Sequence, residues 1–336
     1  MVMDPLYLWR NSQTGFRRWL SLRKIRNALL AKYEQKRNQL CPRAFPFTAI
    51  IDPANICQLS CPLCPTGQKV EGRKPGVMKL HTADRIIEEI GDYLIDVELD
   101  NWGEPFLNPD IYEIISRFSG KRIQTSISTN LSFEKQFDPQ EIIKCGLDHL
   151  IVSIDGATEK TYQKYRVGGN FELVLSNLRK LVEDKKRLSS AKPFLTMKFL
   201  VFPHNLNEQE AFQKLAKEIG ADRVWFKSPY FVRTLIDRLY PKMSPEQLSQ
   251  FANPVVKRKN CHWLWTSVAF SWDGAVSPCC FGISYHPRWD FGNILHQSFR
   301  EIWLSQVYQE SRAVFLGQKP KDDRAKFCEL CTHRGG

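Results

Sequence analysis

Apolar and polar positions follow two rhythms along this chain. Short runs of β-branched and apolar residues recur at 47–51, 95–99, 124–128, 150–154, 195–201 and 223–226, each of strand length. Between them, apolar residues spaced three and four apart predict amphipathic helices at about 82–93, 109–118, 138–145, 171–187 and 208–219. Six strands alternating with helices predict an α/β fold of parallel strands with right-handed crossovers, as an open doubly wound sheet or a curved partial barrel. In either case the loops after the strands carry the chemistry. Residues 6–38 predict one more helix, with Phe16, Trp19, Leu22, Ile25, Leu29 and Tyr33 as a rough apolar stripe. After a polar link containing Pro241 and Pro254, a tail rich in cysteine and tryptophan begins at Cys261. The pattern divides the chain into a basic helical extension (1–43), an α/β core (44–232), a linker (233–260) and a cysteine-rich domain (261–336).

Composition narrows the class. With 336 residues, 43% of them hydrophobic and 25% charged, the chain can bury a sizeable core and is neither disordered nor collagen-like. No apolar run approaches the roughly 20 residues that span a bilayer, and the N-terminus lacks the pattern of a secretory signal. A cytoplasmic protein is expected. The formal net charge of +12 is uneven: residues 1–43 carry ten Lys/Arg against two acids, leaving 38 bases and 34 acids in the rest. So small a balance in the body argues against nucleic acid as its partner. The basic extension has three readings: a helix packed over the barrel's open end, an amphipathic helix resting on an anionic membrane, or an arm for an acidic partner such as RNA.

Seven of the ten cysteines cluster locally, which in a reducing compartment points to metal ligation rather than disulfides. Cys57, Cys61 and Cys64 form a C-x3-C-x2-C run directly after the first strand. Three thiolates leave one coordination position open, as an iron–sulfur cluster with an exchangeable corner requires; a zinc loop closed by a distant ligand such as His81 is the alternative. In the tail, Cys261, Cys279, Cys328 and Cys331 supply four thiolates, enough for a closed site. Structural zinc competes there with an iron–sulfur cluster. Cys280 is a free thiol or exchanges roles with Cys279, and Cys41 and Cys145 read as packed cysteines.

Further motifs follow the next three strands in order: Asn101-Trp102-Gly103-Glu104-Pro105, then Ser128-Thr129-Asn130, then Ser153-Ile154-Asp155-Gly156 leading to Tyr162, Arg166 and Gly168-Gly169-Asn170-Phe171. Taken with the cysteine loop, residues 46–226 resemble the radical SAM superfamily, and the tail resembles its SPASM/twitch extension. Trp102 and Leu131 stand where the family usually has glycine. The resemblance implies a partial (β/α)6 TIM-like barrel with a small C-terminal auxiliary-cluster domain. It also implies two [4Fe–4S] clusters, one on Cys57, Cys61 and Cys64 that binds S-adenosylmethionine (SAM) and an auxiliary one on Cys261, Cys279, Cys328 and Cys331. By the same likeness Gly103, Glu104, Pro105, Ser128, Asn130, Ser153, Asp155 and Arg166 hold SAM.

The implied enzyme is an oxidoreductase or maturase that cleaves SAM reductively and abstracts hydrogen from a carbohydrate, peptide or other metabolite. The auxiliary cluster accepts an electron, and a carrier such as flavodoxin or ferredoxin supplies one. A non-catalytic iron–sulfur or zinc protein and an RNA-modifying radical enzyme are the alternatives. His204, Asn205, Glu208, Lys227 and Tyr230 follow strands five and six at the substrate face without identifying an acid or base, and Trp225 and Phe226 read as core.

Overall fold

The computed structural model describes residues 19–70, 72–228, 261–280, 286–329 and 331. Its six parallel strands are β1 (Thr48–Ile51), β2 (Asp96–Glu98), β3 (Gln124–Thr129), β4 (His149–Ser153), β5 (Phe194–Leu200) and β6 (Arg223–Lys227), side by side in chain order. That order excludes a doubly wound sheet, whose order reverses at a switch point. Charge coupling shows the curvature. Glu98 on β2 feels Lys198 on β5 and Lys227 on β6, although a flat sheet would set β2 and β6 roughly 19 Å apart. The sheet is therefore a partial barrel. β7 (Ser267–Phe270) then pairs parallel to β1, and β8 (Ala275–Ser277) and β9 (Gly292–Asn293) continue antiparallel. The tail thus grows out of the core sheet instead of forming a sheet of its own.

The helices in chain order are α1 (Leu22–Lys36), α2 (Leu80–Ile90), α3 (Ile111–Gly120), α4 (Pro139–Lys144), α5 (Glu159–Tyr165), α6 (Phe171–Arg187), α7 (Gln209–Ile219), α8 (Trp263–Thr266), α9 (Phe299–Trp303), α10 (Gln306–Ala313) and α11 (Lys326–Glu329). Val97, Leu99, Ile127, Leu150, Val152 and Phe199 join Ile86, Ile114, Leu178 and Phe212 of the helices in one buried core. Strand side chains alternate between faces, so residues 98, 100, 126, 128, 153, 198 and 227 face the lumen. Helix α5 was not predicted because seven residues carry no readable period; Thr158 starts it by accepting from the Thr161 amide.

Helix α1 departs from expectation in extent and in facing. Ser21 caps it, so among the described residues it begins at Leu22, not at residue 6; Phe16 lies outside them. Of the stripe's described members only Trp19 is buried, whereas Leu22 is 81% and Leu29 67% exposed, and Ile25 and Tyr33 are exposed too. Its inner face carries Lys24, Asn27, Ala31 and Glu34. Hydrogen bonds chose that face: Lys24 Nζ donates to the Arg122 carbonyl at 2.7 Å, Asn27 bonds both the Phe45 N–H and C=O, and Glu34 accepts from the Arg43 and Ala44 amides. Burial lowers the Lys24 ammonium to about 8. No described helix is long and apolar enough to cross a membrane.

The tail is fastened to the N-terminal segment by Arg312, which is fully buried. Its guanidinium donates to the carbonyls of Leu264, Leu40 and Trp303 at 2.9, 2.9 and 3.0 Å and stacks on the Trp303 ring. Arg312→Met removes the donors and strands three buried carbonyls, so a loss of roughly 2–4 kcal/mol is expected. Thermal or urea unfolding of the variant checks this, and an unchanged midpoint contradicts it.

Candidate functional site

The four predicted loops meet at the rim formed by the C-terminal ends of β1–β4. The cysteine loop leaves β1 and turns tightly, with the Cys64 amide donating to the Cys61 carbonyl at 3.1 Å. It passes so close to Gly67 that a side-chain carbon there would lie 2.7 Å from the Cys61 nitrogen. Cys61 is buried, Cys57 and Cys64 half-buried. Donors point at their sulfurs: the Leu59 amide (3.4 Å) and Asn130 Nδ2 (3.7 Å) at Cys57, and Arg166 Nη1 (4.0 Å) at Cys61. Such donors stabilise thiolates. Burial, with Glu104 and the two neighbouring thiols acting the same way, pushes the Cys57 thiol up to about 12, and burial raises Cys61 as well, so a metal must displace protons to bind here.

Among the described residues, no three His, Cys, Asp or Glu side chains converge closely enough to hold one ion. His81, weighed above as a distant zinc ligand, lies exposed on α2.

The loop after β2 fits against the cysteine loop. A side chain on Gly103 would strike the Ala54 carbonyl oxygen, and the Glu104 amide donates to the Ile56 carbonyl at 2.8 Å. Glu104 is buried; its carboxylate accepts from the Thr129 hydroxyl (2.7 Å), the Asn130 amide (2.8 Å) and the Phe106 amide (3.3 Å). Burial raises this carboxyl to about 7 in spite of those donors. Pro105 starts a single turn of 3-10 helix, Pro105–Leu107. Asn130 is held by Gln58 Nε2 at 2.8 Å, a partner the sequence did not reveal.

Leu131 has φ +53°, which explains the usual glycine at its position: the left-handed region costs a side-chain-bearing residue about 1 kcal/mol. Its full burial holds it there. Trp102 also has a task, since its indole N–H and Asn101 Nδ2 both donate to the Cys280 carbonyl, at 3.3 and 3.0 Å. This ties the β2 loop to the tail.

Ser153 lies 3.3 Å, oxygen to oxygen, from Ser128, which also receives Lys198 Nζ at 3.3 Å. Asp155 is fully buried, accepts the Leu200 amide at 2.6 Å and grips Arg166 through Nε at 2.7 Å and Nη2 at 2.5 Å. Arg166 therefore bridges Asp155 to the cluster loop. Glu208 latches the start of α5 by accepting from the Ala157 amide and the Thr161 hydroxyl, away from the lumen. His204 stacks on Phe202, and burial lowers it to about 4. Phe226 is core, while Trp225 alternates inward with Lys227 4.2 Å over its ring. Tyr230 lies outside the described residues.

In the tail, Cys261 precedes α8, Cys279 follows β8, Cys328 sits in α11 and Cys331 follows it. Burial raises the Cys328 thiol, and Cys261 and Cys331 push the same way. Tyr308 feels both Cys328 and Cys279; its buried hydroxyl has no hydrogen-bond partner, a donor left over for an anionic group among these sulfurs. Burial pushes the Cys280 thiol up to about 11, with Glu98 and Cys261 acting the same way. Cys145 is buried and bonds within α4 to the Ile142 carbonyl, but Cys41 is exposed rather than packed. Arg73, in the segment that follows the cysteine loop, ties that segment to the tail by pairing with Asp273 at 2.7 Å and with Asp290. Trp272 packs where a Gly76 side chain would be and donates to the Lys74 carbonyl.

Residues 51–216 match the family model of the radical SAM superfamily, and residues 261–332 match that of an iron–sulfur cluster-binding domain, SPASM. The chain is 26% identical over 179 residues to PqqA peptide cyclase of Gluconobacter oxydans, covering 53% of this chain and 48% of that relative, about half its length. It is 27% identical over 319 residues to AdoMet-dependent heme synthase of Methanosarcina barkeri, covering 83% and 86%. The crystal structure of SuiB from Streptococcus suis shares the fold with TM-score 0.62 at 14% identity, covering 92% of this chain and 80% of that one.

Asp52 closes the rim from β1. Burial raises its carboxyl to about 7, although the Gly103 and Trp102 amides and Arg73 oppose this. Because the folded value exceeds the unfolded one, stability is full below about pH 4 and falls as the pH rises to about 7, by roughly 4 kcal/mol. Asp52→Asn keeps an acceptor for both amides, so its melting temperature relative to the parent is expected to rise between about pH 5 and pH 8. A pH-independent difference contradicts the assignment.

Proposed function

We propose that this chain, which belongs to the radical SAM superfamily and carries a C-terminal SPASM domain, is an oxidoreductase or maturase acting on a peptide or small molecule. When bound, a [4Fe–4S] cluster and SAM supply a 5′-deoxyadenosyl radical able to take hydrogen from an unactivated C–H bond. The carrying observation is the convergence of Cys57, Cys61 and Cys64 with Gly103, Glu104, Asn130 and Arg166 on one rim.

In this reading Cys57, Cys61 and Cys64 would hold the cluster, leaving one iron free for SAM. Gly103 lets the backbone of residues 101–105 approach the ligand. Glu104 positions Asn130, Ser128 and Ser153 face the SAM ribose, and Arg166, fixed by Asp155, faces its carboxylate while countering the thiolate charge at Cys61. Pro105 sets the turn after Glu104. Cys261, Cys279, Cys328 and Cys331 would hold an auxiliary cluster, which would supply a centre able to accept an electron. The likeness to a peptide cyclase supports a peptide substrate, and the longer alignment with a heme synthase keeps other metabolites in view. A flavodoxin- or ferredoxin-like donor and a cytoplasmic setting complete the reading.

Anaerobic reconstitution is expected to load about eight irons per chain if both clusters are cubanes, with 5′-deoxyadenosine forming on addition of reductant and SAM. Cys61→Ala abolishes SAM cleavage. Cys328→Ala keeps uncoupled cleavage but stops product formation. Equal and total loss in both variants removes the electron-acceptor role of the tail.

The outer face of α1 supports peripheral membrane contact. Leu22, Ile25, Leu29 and Tyr33 stand exposed beside exposed Arg26, Lys36 and Arg37, while the helix's one acid, Glu34, is buried. An apolar stripe with basic flanks suits the interface of an anionic bilayer. The full chain is expected to co-sediment with vesicles containing phosphatidylglycerol but not with pure phosphatidylcholine, and Leu22→Ser/Leu29→Ser to bind about tenfold less. Binding that ignores lipid charge removes this contact.

A further inference from the structure

One residue of the β2 loop reaches from the rim cysteines to the peptide group beside Cys279. The Trp102 carbonyl accepts from the Cys64 thiol at 3.7 Å, and the Trp102 indole N–H donates to the Cys280 carbonyl at 3.3 Å. Asn101 Nδ2 donates to the same carbonyl at 3.0 Å. A carbonyl oxygen has two lone pairs and can accept both. The turn 101–105 is thus held from two sides. On the barrel side the Trp102 and Gly103 amides are bonded to the Asp52 carboxylate, and the Glu104 amide to the Ile56 carbonyl. On the tail side, among the described residues, the hydrogen bonds of the Asn101 and Trp102 side chains go to Cys280. The ladder of β8 ends at Ser277, two residues short of Cys279, so ligation of the Cys279 sulfur would steady the carbonyl of the next residue.

We propose that Asn101 and Trp102 are positioning residues through which occupancy of the tail cysteines sets the affinity of the rim for SAM. Ordering irregular backbone costs conformational entropy, and a turn already fixed by the tail spares SAM binding that cost. A glycine at 102 would offer no donor for the purpose. The coupling is reciprocal: a ligand that orders the turn also orders the carbonyl it docks on. The inference rests on the reading that this rim holds SAM and that Cys261, Cys279, Cys328 and Cys331 hold a cluster.

The test measures retention of labelled SAM by the full, cluster-loaded chain in anaerobic equilibrium dialysis, with iron content and melting temperature followed in parallel. Emptying the tail by Cys328→Ala is expected to weaken SAM binding about tenfold, and Cys331→Ser, at a half-buried position, does the same should the first variant fail to fold. Asn101→Ala/Trp102→Phe, with both clusters loaded, weakens it by a similar factor. Combining the loop and tail changes weakens it no further than about tenfold, because the second change breaks a link already broken. A purely structural role for Trp102 lowers the melting temperature but leaves the losses in SAM binding independent of one another. Independent losses, about a hundredfold in the combination, therefore overturn the proposal, and so does unchanged SAM binding in the folded chain with an empty tail. Failure of the loaded parent to retain any SAM overturns the functional reading itself.

Discussion

One buried carboxylate holds the rim together. Glu104 leaves the β2 loop with its amide bonded to the cysteine loop, and its side chain takes hydrogen bonds from Thr129 and Asn130 on the β3 loop. Asn130 then reaches back to Gln58 and Cys57. Three loops with no regular structure in common are thereby fixed relative to one another by polar contacts out of water, where such bonds are strong and their loss is costly. The three sulfurs need that rigidity, because a cluster binds at fixed geometry and a loose loop must be ordered before it can bind.

The tail is integrated with the barrel at several points. β7 pairs with β1 along four residues, Arg73 reaches across to Asp273 and Asp290, and the Cys280 carbonyl is held by Asn101 and Trp102. The last contact joins the β2 loop at the SAM rim to the cysteine next to Cys279. It also gives a physical reason for Trp102 at a position where a glycine was expected: the indole spans a distance that glycine leaves empty. The two thiol groups are thus held on one scaffold, a precondition for any electron path between them.

Helix α1 shows why an amphipathic pattern can mislead. Its apolar residues recur at helical spacing, yet the face that packs is the one whose Lys24, Asn27 and Glu34 satisfy backbone groups of residues 43–45 and 122. Unpaired backbone groups at a domain edge cost as much as an exposed leucine or more. The outcome puts four large apolar side chains in solvent beside a row of bases, a surface that the packing reading of the extension did not anticipate.

Much of the molecule was legible in its residues. The six strands and their helices follow from periodicity, which is local, and the rim loops from the rule that parallel strands present their C-terminal ends to a ligand. The cysteine spacing and the order of the motifs behind successive strands announced the family. What lies beyond reach of a linear reading depends on curvature and on pairings distant in the chain. The place of β7 beside β1, the buried face of α1 and the role of Trp102 were decided in that way. Periodicity says that a segment has two faces; which of them turns inward is settled by partners a hundred or more residues away.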